Sequence, residues 1–261
     1  MTFADAKQRF SSRVADYVRY RPGYPLGLYD LLNKECGLRP EHAVADIGSG
    51  TGFLSKLFLD RGNAVFGVEP NGEMRAGGEE YLRDYTKFTS VTGSAEATTL
   101  DDASVDFVTA GQAFHWFDPV AARREFLRIL KPGGFVVVAW NDRRISESRF
   151  GREYEDLLVR YGTDYSRVRE AYPEADAMGS FFGANSLQSR ELPNFQEFDF
   201  DGLAGRLRSS SYAPQEVHAN YEPMMAELKR LFAENQVDGR VRMSYTTQIY
   251  FGQLETQRKS G

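Results

Sequence analysis

The stretch VADIGSGTGF, residues 44–53, constrains the fold of this chain more than any other feature. Three glycines alternate at Gly48, Gly50 and Gly52, between a short apolar run and a segment with apolar residues at helical spacing. Glycine lacks a Cβ atom and adopts left-handed backbone conformations easily. This spacing therefore predicts a tight strand-to-helix turn that a ligand approaches closely.

Short apolar runs alternate with segments of helical periodicity from residue 43 to residue 141. Strands that alternate with helices favour right-handed crossovers and a mainly parallel sheet. The β-branched run at 135–141 is typical of a strand buried on both faces. Further alternation predicts strands at 194–202 and 243–254. We therefore predict an α/β fold with helices on both faces of a seven-stranded sheet.

The chain is long enough for one large domain, and we predict that residues 1–261 form one. Its parts are a helical lid at 1–40, a ligand-binding core at 41–141, and substrate-side elaborations with the last two strands at 142–254. In a parallel sheet, ligands bind beyond the carboxyl ends of the strands. We expect the elaborations to lie over that edge.

Composition narrows the possible partners. The formal charge is −5, from 32 basic and 37 acidic residues, which argues against a nucleic-acid partner. The N-terminus lacks an apolar signal region and no run has the length of a membrane span, so we expect a cytoplasmic protein without membrane contact. The single cysteine, Cys36, excludes an internal disulfide and a multi-cysteine zinc site. We expect no metal, and a monomer or a homodimer.

The glycine loop differs from two common nucleotide-binding loops. A dinucleotide fold requires G-x-G-x-x-G, but Phe53 occupies the place of its third glycine. A P-loop requires a lysine that does not follow here. In addition, Asp46 directly precedes the loop, where a carboxylate would repel a phosphate and attract an ammonium group.

A second acidic residue, Glu69, stands at the end of the next predicted strand. A carboxylate at that place can accept hydrogen bonds from both hydroxyls of a ribose. Together with Asp46, it predicts a ligand that has a ribose and a cationic amine but no phosphate.

Five successive motifs resemble those of class I S-adenosylmethionine-dependent methyltransferases: VADIGSGTG, GVEPNGEM, TGSAEATTL, SVDFVTAGQAFHWFD and LKPGGFVVVAWN. The small-molecule group that includes trans-aconitate and quinone-biosynthesis enzymes is the most similar. The resemblance implies a Rossmann-like sheet whose last strand is antiparallel. It also implies S-adenosylmethionine as cofactor and S-adenosylhomocysteine as product.

Carried over residue by residue, the resemblance implies a cofactor site in four parts. The methionine end would contact Asp46, Gly48, Ser49, Gly50 and Gln112. The ribose would bind Glu69, and the adenine would lie near Pro70, Asn71, the backbone of Ala95 and the carboxylate of Glu96. The N-terminal segment would add Tyr20 and Arg21.

The reaction would be an in-line displacement that needs alignment more than dedicated catalytic groups. His115 is the candidate general base, because it alone among three histidines lies on a loop at the ligand edge. The candidate substrate residues are Tyr17, Trp116, Arg143 and Arg144.

Alternatives remain open at this point. The chain could bind S-adenosylmethionine without catalysing transfer, since the chemistry needs little from side chains. An NAD-linked oxidoreductase is opposed by the glycine spacing and by Asp46. The acceptor is a small molecule bearing a carboxylate, a phenol or quinone, or an amine, and the sequence does not choose among them.

Overall fold

The computed structural model describes residues 19–163, 165, 175–183 and 186–255. Its strands are β1 (Ala43–Ile47), β2 (Ala64–Val68), β3 (Phe88–Val91), β4 (Val105–Gly111), β5 (Leu130–Arg143), β6 (Gln188–Phe198) and β7 (Val241–Gly252). Its α-helices are α1 (Gly27–Cys36), α2 (Phe53–Leu59), α3 (Gly72–Tyr81), α4 (Pro119–Ile129), α5 (Arg149–Tyr161), α6 (Ala175–Phe182), α7 (Phe200–Arg208) and α8 (Tyr221–Asn235).

The described strands form one seven-stranded sheet in the order β3-β2-β1-β4-β5-β7-β6. The pairs among β1 to β5 are parallel, whereas β7 runs antiparallel to both β5 and β6. This confirms the predicted α/β fold with a mainly parallel sheet and an antiparallel last strand. The loops after β1, β2 and β4 consequently emerge at one edge of the sheet, the carboxyl edge.

Strand β5 is buried on both faces, as its β-branched sequence predicts. Val136 and Val138 pack into the core on one face of the sheet, while Val137 and Ala139 pack into the core on the other. All four side chains are at most 1% exposed. The two layers hold the strand ends in place, and these ends position the site.

The helices that follow β2 and β4 begin at side-chain caps. Asn71 accepts hydrogen bonds from the backbone of Glu73 and Met74 at the start of α3. Asp118 does the same for Val120 and Ala121 at the start of α4. Each cap satisfies backbone donors that a helix leaves open. The caps therefore fix where the chain turns back from the carboxyl edge.

The strand predicted at 194–202 has different bounds in the structure. It begins earlier, at Gln188, and ends at Phe198, and Asp199 then caps helix α7. The early part escapes the pattern because β6 is an edge strand, where Pro193 and exposed polar side chains are tolerated. The alternation of apolar and polar residues continues past Phe198 into the helix, so this pattern does not show where the strand ends.

Helices α5, α7 and α8 form a separate core cluster with the first residues of β7, including Leu158, Leu207, Leu228 and Met243. Because Arg143, at the end of β5, pairs in register with Tyr245, this cluster lies beside the carboxyl edge. These helices fall within 142–254, and the substrate-side role of that segment stays a prediction. The single-domain organisation stays a prediction. Across the described ranges, no helix has both the length and the apolar character to cross a bilayer.

Candidate functional site

The loop between β1 and α2 adopts the backbone that its glycines predict. Gly48, Gly50 and Gly52 have φ values of 66°, 56° and 86°, in the left-handed region. A Cβ atom added to Gly48 would lie 2.6 Å from the Cβ of Ala113, on the loop after β4. Real Cβ atoms do not approach so closely. The turn therefore requires glycine at this position for two reasons, its positive φ and the lack of space for a side chain.

Strand β2 holds this loop through backbone hydrogen bonds. The amides of Gly48 and Ser49 both donate to the carbonyl of Val68, at 2.8 and 3.2 Å. The amide of Gly50 donates to Oε2 of Glu69 at 2.9 Å, and the amide of Asn71 donates to Oε1 at 2.8 Å. The Glu69 carboxylate thus joins the glycine loop to the start of α3.

Glu69 is 7% exposed. Burial raises the pKa of its carboxyl group, while the two amide hydrogen bonds and the nearby Arg75 act in the opposite direction. Both acidic residues of the sequence prediction therefore lie beside the loop. Each carboxylate oxygen of Glu69 accepts one amide hydrogen bond and keeps a second lone pair that could accept from a hydroxyl group.

Asp46 is 1% exposed and is the penultimate residue of β1, just before the loop. Its Oδ2 accepts a hydrogen bond from the Ser55 hydroxyl at 2.6 Å, and its Oδ1 accepts one from the Thr109 hydroxyl at 3.2 Å. Burial raises the pKa of Asp46 to about 6, so the carboxylate still carries charge at pH 7. Within the described chain, no lysine, arginine or histidine forms an ion pair with it.

A cleft of about 490 Å³, partly open to solvent, lies against the loop. It brings together six residues that the sequence predicts for the cofactor: Arg21, Asp46, Gly48, Ser49, Gly50 and Gln112. Six residues that the sequence analysis did not select also line it: Pro22, Tyr24, Thr51, Phe53, Leu54 and Gly111.

Tyr24 and Gly111 meet closely in this cleft. A Cβ atom on Gly111 would lie 2.4 Å from the Tyr24 hydroxyl oxygen, so the tyrosine lies directly over the end of β4. Sequence reasoning missed both residues, although the tyrosine stands in the conspicuous segment YRPGYP. Only the fold reveals that this N-terminal segment reaches the end of a strand far along the chain.

Gln112 has a φ of 57°, and this left-handed conformation is energetically unfavourable for any residue other than glycine. Its amide donates to the Ala139 carbonyl at 2.9 Å, and its Nε2 donates to the Asn141 carbonyl at 3.2 Å. Asn141 in turn donates from Nδ2 to the Gly23 carbonyl at 3.2 Å. The buried Asn141, also absent from the sequence prediction, thus ties the N-terminal segment to the end of β5.

The residues predicted for adenine lie outside the lining of this cleft. Pro70 is half-buried, Asn71 is buried as the cap of α3, and Ala95 is 2% exposed. The Glu96 carboxylate accepts a hydrogen bond from the amide of Asp118 at 2.9 Å. These four residues stay predicted adenine contacts.

His115 lies on a short 3₁₀ turn, Phe114–Trp116, that follows β4. The imidazole ring is half-buried, with its centroid 4.7 Å from that of Trp116. Burial lowers the pKa of His115 to about 4, so the ring is neutral at pH 7. Neither ring is part of the cleft lining, and the roles of base and substrate contact stay predictions.

The N-terminal candidates have different surroundings. Tyr17 lies outside the described residues. The Tyr20 ring packs on helix α7, where a Cβ on Gly205 would lie 2.1 Å from Cε2 of the ring. Arg21 lines the cleft and donates from Nη2 to the Ser209 carbonyl at 3.0 Å.

The two candidate substrate arginines also differ. The Arg143 side chain is 14% exposed, with Nη2 at 2.8 Å from Oε2 of Glu155 and its guanidinium 5.3 Å from the ring centroid of Tyr154. The side chain of Arg144 is 52% exposed and lies 3.7 Å from Glu147. Arg143 is the last residue of β5, whereas Arg144 lies beyond the strand and precedes a short 3₁₀ turn, so their side chains have different surroundings.

Comparisons with known proteins agree with this geometry. Residues 45–138 match the model of a family described as methyltransferase domain. An uncharacterized methyltransferase of Mycobacterium tuberculosis is 39% identical over 173 residues, an alignment that covers 65% of this chain. It covers 66% of the relative, just under two thirds of its length. A Schizosaccharomyces pombe relative, an uncharacterized methyltransferase-like protein, is 36% identical over 51% of this chain and 52% of its own length.

Solved structures share the fold. A protein described as a type II methyltransferase from Anaeromyxobacter dehalogenans superposes with a TM-score of 0.63 at 21% identity, covering 90% of this chain and 98% of that one. A geranyl diphosphate methyltransferase, solved with its cofactor S-adenosylmethionine, gives 0.50 at 14% identity, covering 87% and 85%. The finer resemblance to trans-aconitate and quinone enzymes stays a prediction, since these names do not specify it.

Proposed function

Because this chain belongs to the class I S-adenosylmethionine-dependent methyltransferases, we propose that it methylates a small-molecule acceptor. One observation carries the proposal. The buried carboxylate of Asp46 lines a cleft whose loop backbone is bare, so that a cationic, phosphate-free ligand can approach it. When bound, S-adenosylmethionine supplies a methyl group already activated on a sulfonium.

Three features of the cleft fit this cofactor. Asp46 lacks a cationic partner in the described chain and would attract the ammonium group of the methionine end. The Thr51 hydroxyl is buried without a hydrogen-bond partner among the described residues, and it lines the same space. Gly48 and Gly50 line the cleft with backbone atoms alone. The loop backbone and Gln112 would complete the methionine end.

Glu69 would hold the ribose, since its carboxylate lies next to the loop and accepts amide hydrogen bonds that a diol could share. The adenine would then lie towards Pro70, Asn71, Ala95 and Glu96. Arg21 and Tyr24 would close the cleft over the opposite end. Gly23, which lies between them in sequence, is held there because Asn141 and Asn194 both donate to its carbonyl.

Calorimetric titration tests the cofactor. We expect S-adenosylhomocysteine to bind and NAD not to bind. Glu69→Ala should weaken S-adenosylhomocysteine binding by about 1–3 kcal/mol, the loss expected for charge-assisted hydrogen bonds. The matched control is Glu73→Ala, an exposed acid on the adjacent helix turn. Tight binding of NAD alone would end the methyltransferase proposal, and an unchanged affinity in Glu69→Ala would refute the ribose contact.

We keep His115 as the candidate base for acceptors that must lose a proton. A neutral imidazole is the form that can accept one, although its low pKa limits its strength as a base. His115→Ala should lower turnover about 10²- to 10⁴-fold and leave S-adenosylhomocysteine affinity nearly unchanged. An effect below tenfold would assign the ring to packing.

A cofactor-binding protein without transferase activity is the second candidate. It is favoured by the small number of side chains in the cleft that could act as acid or base. Binding of S-adenosylhomocysteine without turnover of carboxylate, phenol, quinone and amine acceptors would support it. The monomer or homodimer expectation stays a proposal.

A further inference from the structure

A buried polar cluster lies next to the cleft, between the end of β5 and helices α5 and α7. We name it the arginine cluster and define it by Arg143, Glu155, Arg206 and Tyr212. All four residues are substantially buried, and Arg206 is 5% exposed. The cluster is set in an otherwise apolar core that includes Leu158, Leu203 and Leu207.

The charges in the arginine cluster do not balance. Glu155 pairs with Arg143 at 2.8 Å, and the same carboxylate oxygen accepts a hydrogen bond from the Tyr165 hydroxyl at 2.6 Å. Arg206 donates from Nη1 to the Ser210 hydroxyl at 2.9 Å, and a further polar contact joins it to Tyr245. No carboxylate among the described residues pairs with Arg206.

The Nε atom of Arg206 is also buried without a hydrogen-bond partner in the described chain. A buried charge is costly unless it is paired and hydrogen-bonded. A guanidinium with an unused N–H group is a ready donor to an anion, because its fork matches a carboxylate. Among the described residues the cluster holds two cations and one carboxylate, and the unused Nε–H of Arg206 could donate to one more anion.

Tyr212 responds to this excess of positive charge. Burial by itself raises the pKa of the phenol, yet the guanidiniums of Arg143, Arg206 and Arg21 outweigh burial and lower it. Three arginines thus act on one point. Since Arg21 lines the cleft, this positive potential reaches the space beside the cofactor loop.

A short chain of contacts links the cluster to the cleft. Arg206 binds the Ser210 side chain, and Arg21 binds the carbonyl of the preceding residue, Ser209. On the sheet side, Arg143 follows Asn141 by two positions, and the Asn141 carbonyl accepts from the cleft residue Gln112. These contacts join the cluster to Arg21 and Gln112, two residues that line the cleft.

We propose that the acceptor is an acidic small molecule whose carboxylate binds Arg206, with Arg143 and Tyr212 beside it. This inference rests on the proposed function, and it selects the carboxylate from the acceptor classes that the sequence leaves open. Arg206 and Tyr212 act here as specificity-determining residues that no sequence motif indicates. The acceptor carboxylate supplies the negative charge that the buried cluster lacks.

The test uses the full-length protein saturated with S-adenosylhomocysteine, with succinate and benzoate as probes and their neutral amides, succinamide and benzamide, as controls. At ten times its dissociation constant, a bound carboxylate should raise Tm by about 3–6 °C, and the amides should not. Arg206→Met should lower carboxylate affinity about 10- to 100-fold while S-adenosylhomocysteine affinity stays unchanged.

Stability without any anion provides a second readout. Arg206→Met removes an unpaired buried cation and keeps an apolar stem of similar length, so its Tm should equal or exceed that of the wild type. Arg230→Met, which removes an exposed, paired arginine, should preserve the response to carboxylates.

The outcomes separate the two proposals. Failure to bind S-adenosylhomocysteine would overturn the proposed function. Normal binding of S-adenosylhomocysteine, combined with equal responses to acids and amides, would overturn only the anionic acceptor. A marked fall in Tm for Arg206→Met without anion would likewise overturn it, because the chain itself would then compensate the charge.

Discussion

The glycine loop and the arginine cluster both lie at the carboxyl edge of the sheet and are built in opposite ways. The loop is nearly bare backbone, held by amides that donate to Val68 and Glu69. The cluster is made of long side chains whose charges meet inside an apolar core. At Gly48 and Gly52 the loop has no space for a Cβ atom, whereas the cluster has an unused hydrogen-bond donor at Arg206 Nε. The difference suggests a fixed cofactor end and an acceptor end selected by charge.

The largest expected effect is on the paired half of the cluster. Arg143→Met leaves the buried Glu155 without its cation, and breaking a buried pair in this way typically costs about 3–5 kcal/mol of unfolding free energy. Urea unfolding measures it. The neighbouring, half-exposed Arg144→Met should cost less than about 1 kcal/mol. Equal losses in Arg143→Met and Arg206→Met would remove the distinction between the two buried arginines.

A single methyl group added at Gly48 should destabilise the glycine loop. Gly48→Ala combines an unfavourable φ with a collision at Ala113, and we expect a loss of about 2–4 kcal/mol in stability. Binding of S-adenosylhomocysteine should fall with it. Gly37→Ala is the matched control, since its φ of 68° is nearly the same but open space surrounds it. If both variants lose the same stability, strain alone explains the glycine.

A smaller effect of opposite sign is expected at Asp46. Asp46→Asn removes a buried charge and should raise stability at pH 7 by about 1–3 kcal/mol, while it weakens S-adenosylhomocysteine binding at least tenfold. The exposed control Asp84→Asn should change neither quantity. A variant that loses stability and keeps affinity would make Asp46 a structural residue.

The pH dependence of stability tests independently whether the charge of Asp46 destabilises the folded protein. The pKa of Asp46 is about 6 in the folded protein and near 3.8 in the unfolded chain. Its contribution to stability is therefore fully present below pH 3.8 and is lost as the pH rises through 6. Thermal unfolding between pH 3.5 and pH 7 should show this loss in the wild type and not in Asp46→Asn.

Local sequence was sufficient to predict the cofactor edge. The glycine spacing, the acids at the two strand ends and the β-branched run of β5 each act within a few residues, through backbone geometry and burial periodicity. These features predicted the sheet and its loops, and the resemblance to methyltransferases implied the six predicted residues that line the cleft. Asp46 and Glu69 lie beside the glycine loop because parallel strands end at one edge.

Only the tertiary structure decided the rest of the site. Tyr24 over Gly111, Asn141 on Gly23, and Arg206 near Arg143 join segments far apart in sequence. No local period records such contacts, since they depend on how helices α5 and α7 fold back over the sheet. From sequence alone, an arginine is expected at the surface. Packing buries Arg206 with no carboxylate partner among the described residues, and this makes it a candidate for ligand recognition.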